Sequence, residues 1–81
     1  MDVNKLLEIA ISETSNLVED EIFLVKDLFK GYKWNRIPRS DRLLLGTLFL
    51  YHVNQENTNI KAIQKTTSGQ QKYQIVKAKE V

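Results

Sequence analysis

The sequence predicts a mainly helical α+β domain built around one long helix, and three stretches predict it. From Pro38 onwards, Leu43, Leu44, Leu45, Leu48, Phe49, Leu50, Tyr51 and Val53 place apolar side chains almost all round a helix, too wide a stripe for a surface element. Residues 60–65 and 71–77 alternate apolar and polar side chains about a polar segment with Gly69, the pattern of two strands joined by a turn. Ile22-Phe23-Leu24-Val25 is a short run of strand formers behind the charged Glu19-Asp20-Glu21, and so short a strand persists only within a sheet.

Length and composition narrow the rest. A chain of 81 residues is expected to form one domain over residues 1–81, large enough to bury about 60% of its unfolded surface. Cysteine is absent, so neither a disulfide nor a thiolate metal site supports the fold, as expected in a reducing cytoplasm. Residues 1–20 lack the basic start and unbroken apolar run of a signal peptide, and no apolar run approaches membrane-spanning length. A soluble, cytoplasmic protein is expected. The net charge is +2, yet residues 1–21 carry one lysine against six acids (1 − 6 = −5) and residues 22–81 carry eleven Lys/Arg against four acids (11 − 4 = +7). A basic body behind an acidic leader fits an anionic partner, although a lysine-rich solvated surface has the same signature.

In chain order, Asp2 caps a first helix running to about Glu13, with Val3, Leu6, Leu7 and Ala10 inward and Ile9 and Ile11 towards the edges. Ser12, Thr14, Ser15 and Asn16 fray its end. Residues 22–25 form the short strand, although residues 17–30 also scan as one helix. Lys26-Asp27-Leu28-Phe29-Lys30 reads as a short helix ended by Gly31 in the left-handed region, and Tyr32-Lys33-Trp34-Asn35-Arg36 as the loop that follows. Pro38 suits the first turn of the long helix and pushes Ile37 into an extended conformation. On that helix Leu44, Leu45, Leu48, Tyr51 and His52 share one side. Arg39, Arg42 and Gly46 lie within roughly 60° of arc, a charged, slim end fit to enter a groove. Residues 54–59 form a polar loop before the hairpin. A two-residue hairpin loop aligns Ile60 and Ala62 with Tyr73 and Ile75, whereas a three-residue loop puts Ile63 beside Tyr73. Residues 77–81 are a frayed tail. The expected sheet pairs residues 23–25 with the hairpin, over a core containing Leu28, Phe29, Trp34, Leu44, Leu48 and Tyr73.

Helix, short strand, short helix, long helix and β-hairpin make up the order of a winged helix-turn-helix, in which the hairpin tip is the wing. The residues also carry a resemblance. The segment Glu21-Ile22-Phe23-Leu24-Val25-Lys26-Asp27-Leu28-Phe29-Lys30-Gly31-Tyr32, the segment Trp34-Asn35-Arg36-Ile37-Pro38-Arg39, and Leu44-Leu45-Gly46 resemble short uncharacterised proteins of Gram-positive bacteria and their mobile elements, catalogued as a domain of unknown function. Lys65-Thr66 and Gly69-Gln70-Gln71-Lys72-Tyr73 extend the likeness across roughly residues 19–75. Gln64 stands where the resemblance leads us to expect a glycine, which leaves the start of the wing open. The resemblance implies a small winged-helix-like bacterial or phage protein and no reaction.

Little points to catalysis, and we expect no enzyme, no cofactor and no metal. The single histidine, His52, lies on the apolar side of the long helix, where packing is the simpler role than ligation. Glu19-Asp20-Glu21 suits a solvated turn better than a cation site. Ser40 lacks a histidine partner nearby in sequence, and three isolated glycines make no phosphate-cradling loop. The basic series is more informative: Lys26, Lys30, Lys33, Arg36, Arg39 and Arg42 recur every three or four residues, offset only by Asp27 and Asp41. In a helix-turn-helix these hold phosphates and present Arg39 or Arg42 to base edges, with Ser40 and Asn35 adding shorter contacts. A charged face that merely keeps a leucine-rich domain soluble is the alternative. The wing adds Lys65, Gln70, Gln71 and Lys72, suited to phosphate or minor-groove contact. The expected interface is therefore Lys33, Arg36, Arg39, Ser40, Arg42, Lys65, Gln70, Gln71 and Lys72, and the expected partner is duplex DNA. A homodimer through the first helix is a further expectation. The alternative function is a protein-interaction module, such as a phage or mobile-element inhibitor docking on a host protein.

Overall fold

Asp2 starts the first helix, α1 (Val3–Glu13), with its carboxylate accepting from the backbone N–H of Asn4 at 3.0 Å. The computed structural model describes residues 2–55 and 58–76. The expected tail at 77–81, Lys77 at the hairpin's end, and Glu56 and Asn57 of the polar loop lie outside them. A 3-10 turn (Thr14–Asn16) ends the first helical segment, and the hydroxyls of Thr14 and Ser15 fold back onto the carbonyls of Ile11 and Ser12, the competition with the backbone expected of such residues. Ala10 is the fully buried residue of α1, and Val3, Leu6, Leu7 and Ile11 pack against the core around it.

The acidic turn is structural. Asp20 adopts φ +72°, its N–H donates to the Ile75 carbonyl at 2.8 Å, and the Ile75 N–H donates to the Glu21 carbonyl at 3.0 Å. These bonds dock β1 (Ile22–Phe23) antiparallel to β3 (Gln71–Ile75), with Phe23 opposite Tyr73. The expected pairing of residues 23–25 is thus moved forward. Val25 belongs instead to a 3-10 turn (Val25–Leu28), whose start is held by the Asp27 carboxylate accepting from Leu24 N–H at 2.9 Å. No helix spans residues 17–30.

The short helix sits one element later than its sequence suggests. Gly31 begins α2 (Gly31–Arg36) rather than ending a helix before it. Its φ is not positive and an added Cβ would meet nothing within 4 Å, so glycine's freedom is not used there. Lys30 is extended, Trp34 N–H donates back to its carbonyl at 2.9 Å, and Phe29 and Trp34 lie ring to ring at 5.8 Å. Ile37, buried and extended ahead of Pro38, turns the chain into α3 (Arg39–Gln55). A two-residue connection therefore separates α2 from α3.

The core-facing side of α3 is Leu45, Phe49 and Val53. Leu44 and Tyr51 are exposed, Leu48 is half-buried, and Trp34 and Phe29 are half-buried at the margin of the core. The expected inward stripe was rotated because leucines occur on nearly every side of this helix, which leaves its period ambiguous. Phe49 meets the Tyr73 ring edge-on at 4.9 Å and the Phe23 ring at 6.3 Å, geometry that rewards aromatic pairs beyond the area they bury. Leu28 and Tyr73 are buried as expected.

The sheet is antiparallel in the order β1-β3-β2, with β2 at Ile60–Lys65. Ile60 pairs with Ile75 and Ala62 with Tyr73, the alignment expected of a two-residue loop, although residues 66–70 connect β2 to β3 and a register shift follows Ala62. Gly69, at φ +89°, makes the tight part of the connecting loop, and Thr66 N–H donates to the Gln70 carbonyl at 2.8 Å. Three helices and a three-stranded antiparallel sheet make a small α+β fold compatible with the expected winged arrangement.

Burial pushes the Tyr73 phenol up to about 12 from 10.0. A raised folded-state value means that the neutral phenol stabilises the fold fully below the unfolded value near 10, and that this contribution is lost as pH rises through 12. Alkaline unfolding followed by circular dichroism should therefore steepen across this window, and Tyr73→Phe should flatten it. An identical alkaline profile for both proteins would contradict this origin.

Candidate nucleic-acid interface

The first half of α3 and the hairpin loop face each other across a cleft of about 520 Å³. Arg39, Arg42, Leu43, Gly46 and Leu50 form its α3 wall, and Lys65 with residues 68–71 forms the opposite one. Lys26 and Trp34 complete the rim and floor. Among the described residues, Lys26, Arg39, Arg42 and Lys65 line this cleft and no Asp or Glu does, a lining that favours an anion.

Each wall has a local cause. Arg39, Leu43, Gly46 and Leu50 recur at three- and four-residue spacing and so share a side of the helix. On the hairpin, Ala62 pairs with Tyr73 but Lys65 pairs with Gln71, so β2 carries one extra residue between them. Without that bulge Gln64 would oppose Gln71. With it, Lys65 takes that place and shares the cleft-facing side, as directly paired residues do. The Gln71 amide donates to the Ile63 carbonyl inside the bulge and to the Lys72 carbonyl at 3.1 Å, thereby serving the irregular backbone.

The expected interface residues divide. Arg39, Arg42, Lys65, Gln70 and Gln71 come together at the cleft. Arg42 is half-buried there, with its guanidinium 5.4 Å from the centre of the Trp34 ring and Nη2 donating to the Asn35 carbonyl at 3.1 Å. These contacts tie α3 to α2 and leave Arg39, fully exposed, as the freer of the two arginines. Lys33, Arg36 and Ser40 are exposed outside the cleft lining, and Arg36 lies over the Tyr32 ring at 5.1 Å. Lys72 follows Gln71 along β3, so strand alternation turns it to the opposite face of the sheet; it does not join the cleft. Lys26, a member of the basic series but not of the expected interface, lines the cleft, as does Trp34, expected in the core. Sequence reasoning missed Leu43, which nothing local marked among so many leucines.

His52 is half-buried beside Ile11, Leu17 and Ile60 in a second, smaller cleft of about 440 Å³ at the other end of α3. Among the described residues no three His, Cys, Asp or Glu side chains gather as a metal site would require, and no helix is long and apolar enough to cross a membrane.

Fold and cleft together define a small α+β protein with a cleft between a helix and a hairpin loop whose charged lining, among the described residues, is cationic. The chain belongs to the family described as Domain of unknown function (DUF1413), whose model matches residues 8–74, in accord with the resemblance to an uncharacterised family. No curated protein matches it. Among solved structures it is similar to one named "SCCmec type IV LP1413 - nucleic acids binding protein", with a TM-score of 0.73 over 98% of this chain and 92% of that one. Their sequences are 17% identical, so the likeness is one of fold.

Proposed function

We propose that this protein binds duplex DNA as a small cytoplasmic winged-helix module without catalysis of its own, with α3 as the helix offered to DNA and the β2–β3 hairpin as the wing. The observation that carries this reading is the convergence of Arg39 and Lys65, from separate elements, on one cleft that no carboxylate lines among the described residues. Exposed Arg36 and Lys33 extend the cationic surface ahead of α3, and exposed Ser40 adds a hydroxyl in its first turn. The name of the fold neighbour points the same way. Sequence-selective binding would make a role in transcription regulation the natural use of such a module.

Retention of a labelled mixed-sequence duplex, titrated at two salt concentrations, tests this. Affinity should fall steeply with salt, the log–log slope being about −0.9 for each phosphate neutralised. Trp34, the single tryptophan, lines the cleft, so its emission should change on binding. A protein that retains no duplex even at low ionic strength ends the DNA reading.

The second reading is docking on a host protein, and Leu43, Leu44 and Tyr51, all exposed on α3, favour it. A stable stoichiometric complex without DNA affinity would support that reading instead. A homodimer through α1 has less behind it: around exposed Ile9 the outer residues are Asn4, Lys5, Glu8 and Ser12, and a standard-sized interface takes some 20–30 residues a side. A monomer mass from light scattering at high concentration would remove it.

Gly46 separates folding from binding. It sits inside α3, and an added Cβ meets nothing within 4 Å, so packing does not require glycine. Gly46→Ala should raise stability by up to about 1 kcal/mol, roughly 4–8 °C in melting temperature for a domain of this size. The methyl enters the cleft wall, so DNA affinity should drop while stability rises. Unchanged affinity would place the contact elsewhere.

A further inference from the structure

Along α3, Arg39, Leu43, Thr47 and Tyr51 follow one another at four-residue intervals and form one outward strip. The strip begins with a cation and continues with an apolar side chain, Leu43. Leu43 is 62% exposed and Leu44 beside it 48% exposed. Thr47 is exposed, yet its hydroxyl donates to the Leu43 carbonyl at 3.1 Å, so its proton is already used by the backbone. Gly46, next to this strip, adds no bulk. Where α3 lines the cleft, Arg39 and Arg42 supply the donors and Leu43 offers only an apolar surface. The apolar feature that DNA displays in the major groove is the C5-methyl of thymine.

We propose that Leu43 reads thymine methyl groups, and that the protein therefore prefers A·T-rich duplex DNA. This rests on the DNA-binding reading and deepens it by naming the bases. Charge complementarity commits the strip to this occupant. Exposed Leu43 lines the cleft with Arg39 on the same helix and Lys65 across it, and both cations can hold phosphates while Leu43 faces the bases. Arg39 fixes the register, Gly46 permits close approach, and Leu43 supplies the preference.

The test uses two duplexes of identical sequence rich in A·T pairs, one with thymine and one with uracil, which differ only in the methyl group. A G·C duplex of equal length serves as reference. Wild-type protein should bind the thymine duplex about fourfold more tightly for each methyl covered, the equivalent of ~0.8 kcal/mol per buried carbon group. Leu43→Ala, at an exposed position, should erase the thymine–uracil difference and keep the salt dependence. Equal wild-type affinity for thymine and uracil duplexes, with salt-sensitive binding intact, overturns the inference and leaves the DNA reading standing. A full thymine preference in Leu43→Ala overturns it as well. Absence of salt-sensitive binding to all three duplexes overturns both and returns the strip to a protein partner.

Discussion

Phe49→Ala is expected to cost about 3–5 kcal/mol, the range for deleting a buried aromatic ring from a packed core. Phe49 is fully buried and touches the Tyr73 and Phe23 rings at once, so its loss empties the junction of α3 with β1 and the central strand β3. For 81 residues a total stability of roughly 4–12 kcal/mol is usual, and the variant should be partly unfolded at room temperature. Leu44→Ala is the matched control. Leu44 lies on the same helix but is half in solvent, so its truncation should stay within about 0.5 kcal/mol. Urea unfolding followed by circular dichroism measures both. Equal costs at the two positions would show that α3 presents a different side to the core.

The second large effect concerns the cationic surface. Removing Arg36, Arg39 and Lys65 together by alanine substitution should flatten the log–log salt slope by about 2.7, three contacts at 0.9 each. Arg39→Ala alone should weaken binding and flatten the slope by about 0.9, one phosphate contact fewer. Lys65→Ala should weaken binding to every sequence alike. All three side chains are exposed, so the variants should melt as the wild type does, which excludes unfolding as the cause. Arg42→Ala should behave differently. By breaking the Trp34 and Asn35 contacts it loosens the α2–α3 junction, so it should lower stability and affinity together. A triple variant with an undiminished slope would move the phosphate contacts to other residues.

What the sequence determined by itself is local and short-range. The cap at Asp2, the extended Ile37 ahead of Pro38, the hairpin with Gly69 at φ +89° and the order of helices and strands all follow from single-residue backbone preferences or a clear period. The basic series was equally legible, because charge is read without knowing orientation. Tertiary structure decided the rest. Leucines on nearly every side of α3 gave no favoured inward face, and only packing against Phe23 and Tyr73 chose Leu45, Phe49 and Val53 over Leu44 and Tyr51. Gly31 has the residue type of a helix end but not its backbone conformation, and the Phe29–Trp34 stack placed a helix where a loop was expected. The bulge that aims Lys65 at the cleft while Lys72 turns away is a matter of register between strands. Register depends on partners distant in sequence, and no pattern within one strand contains it.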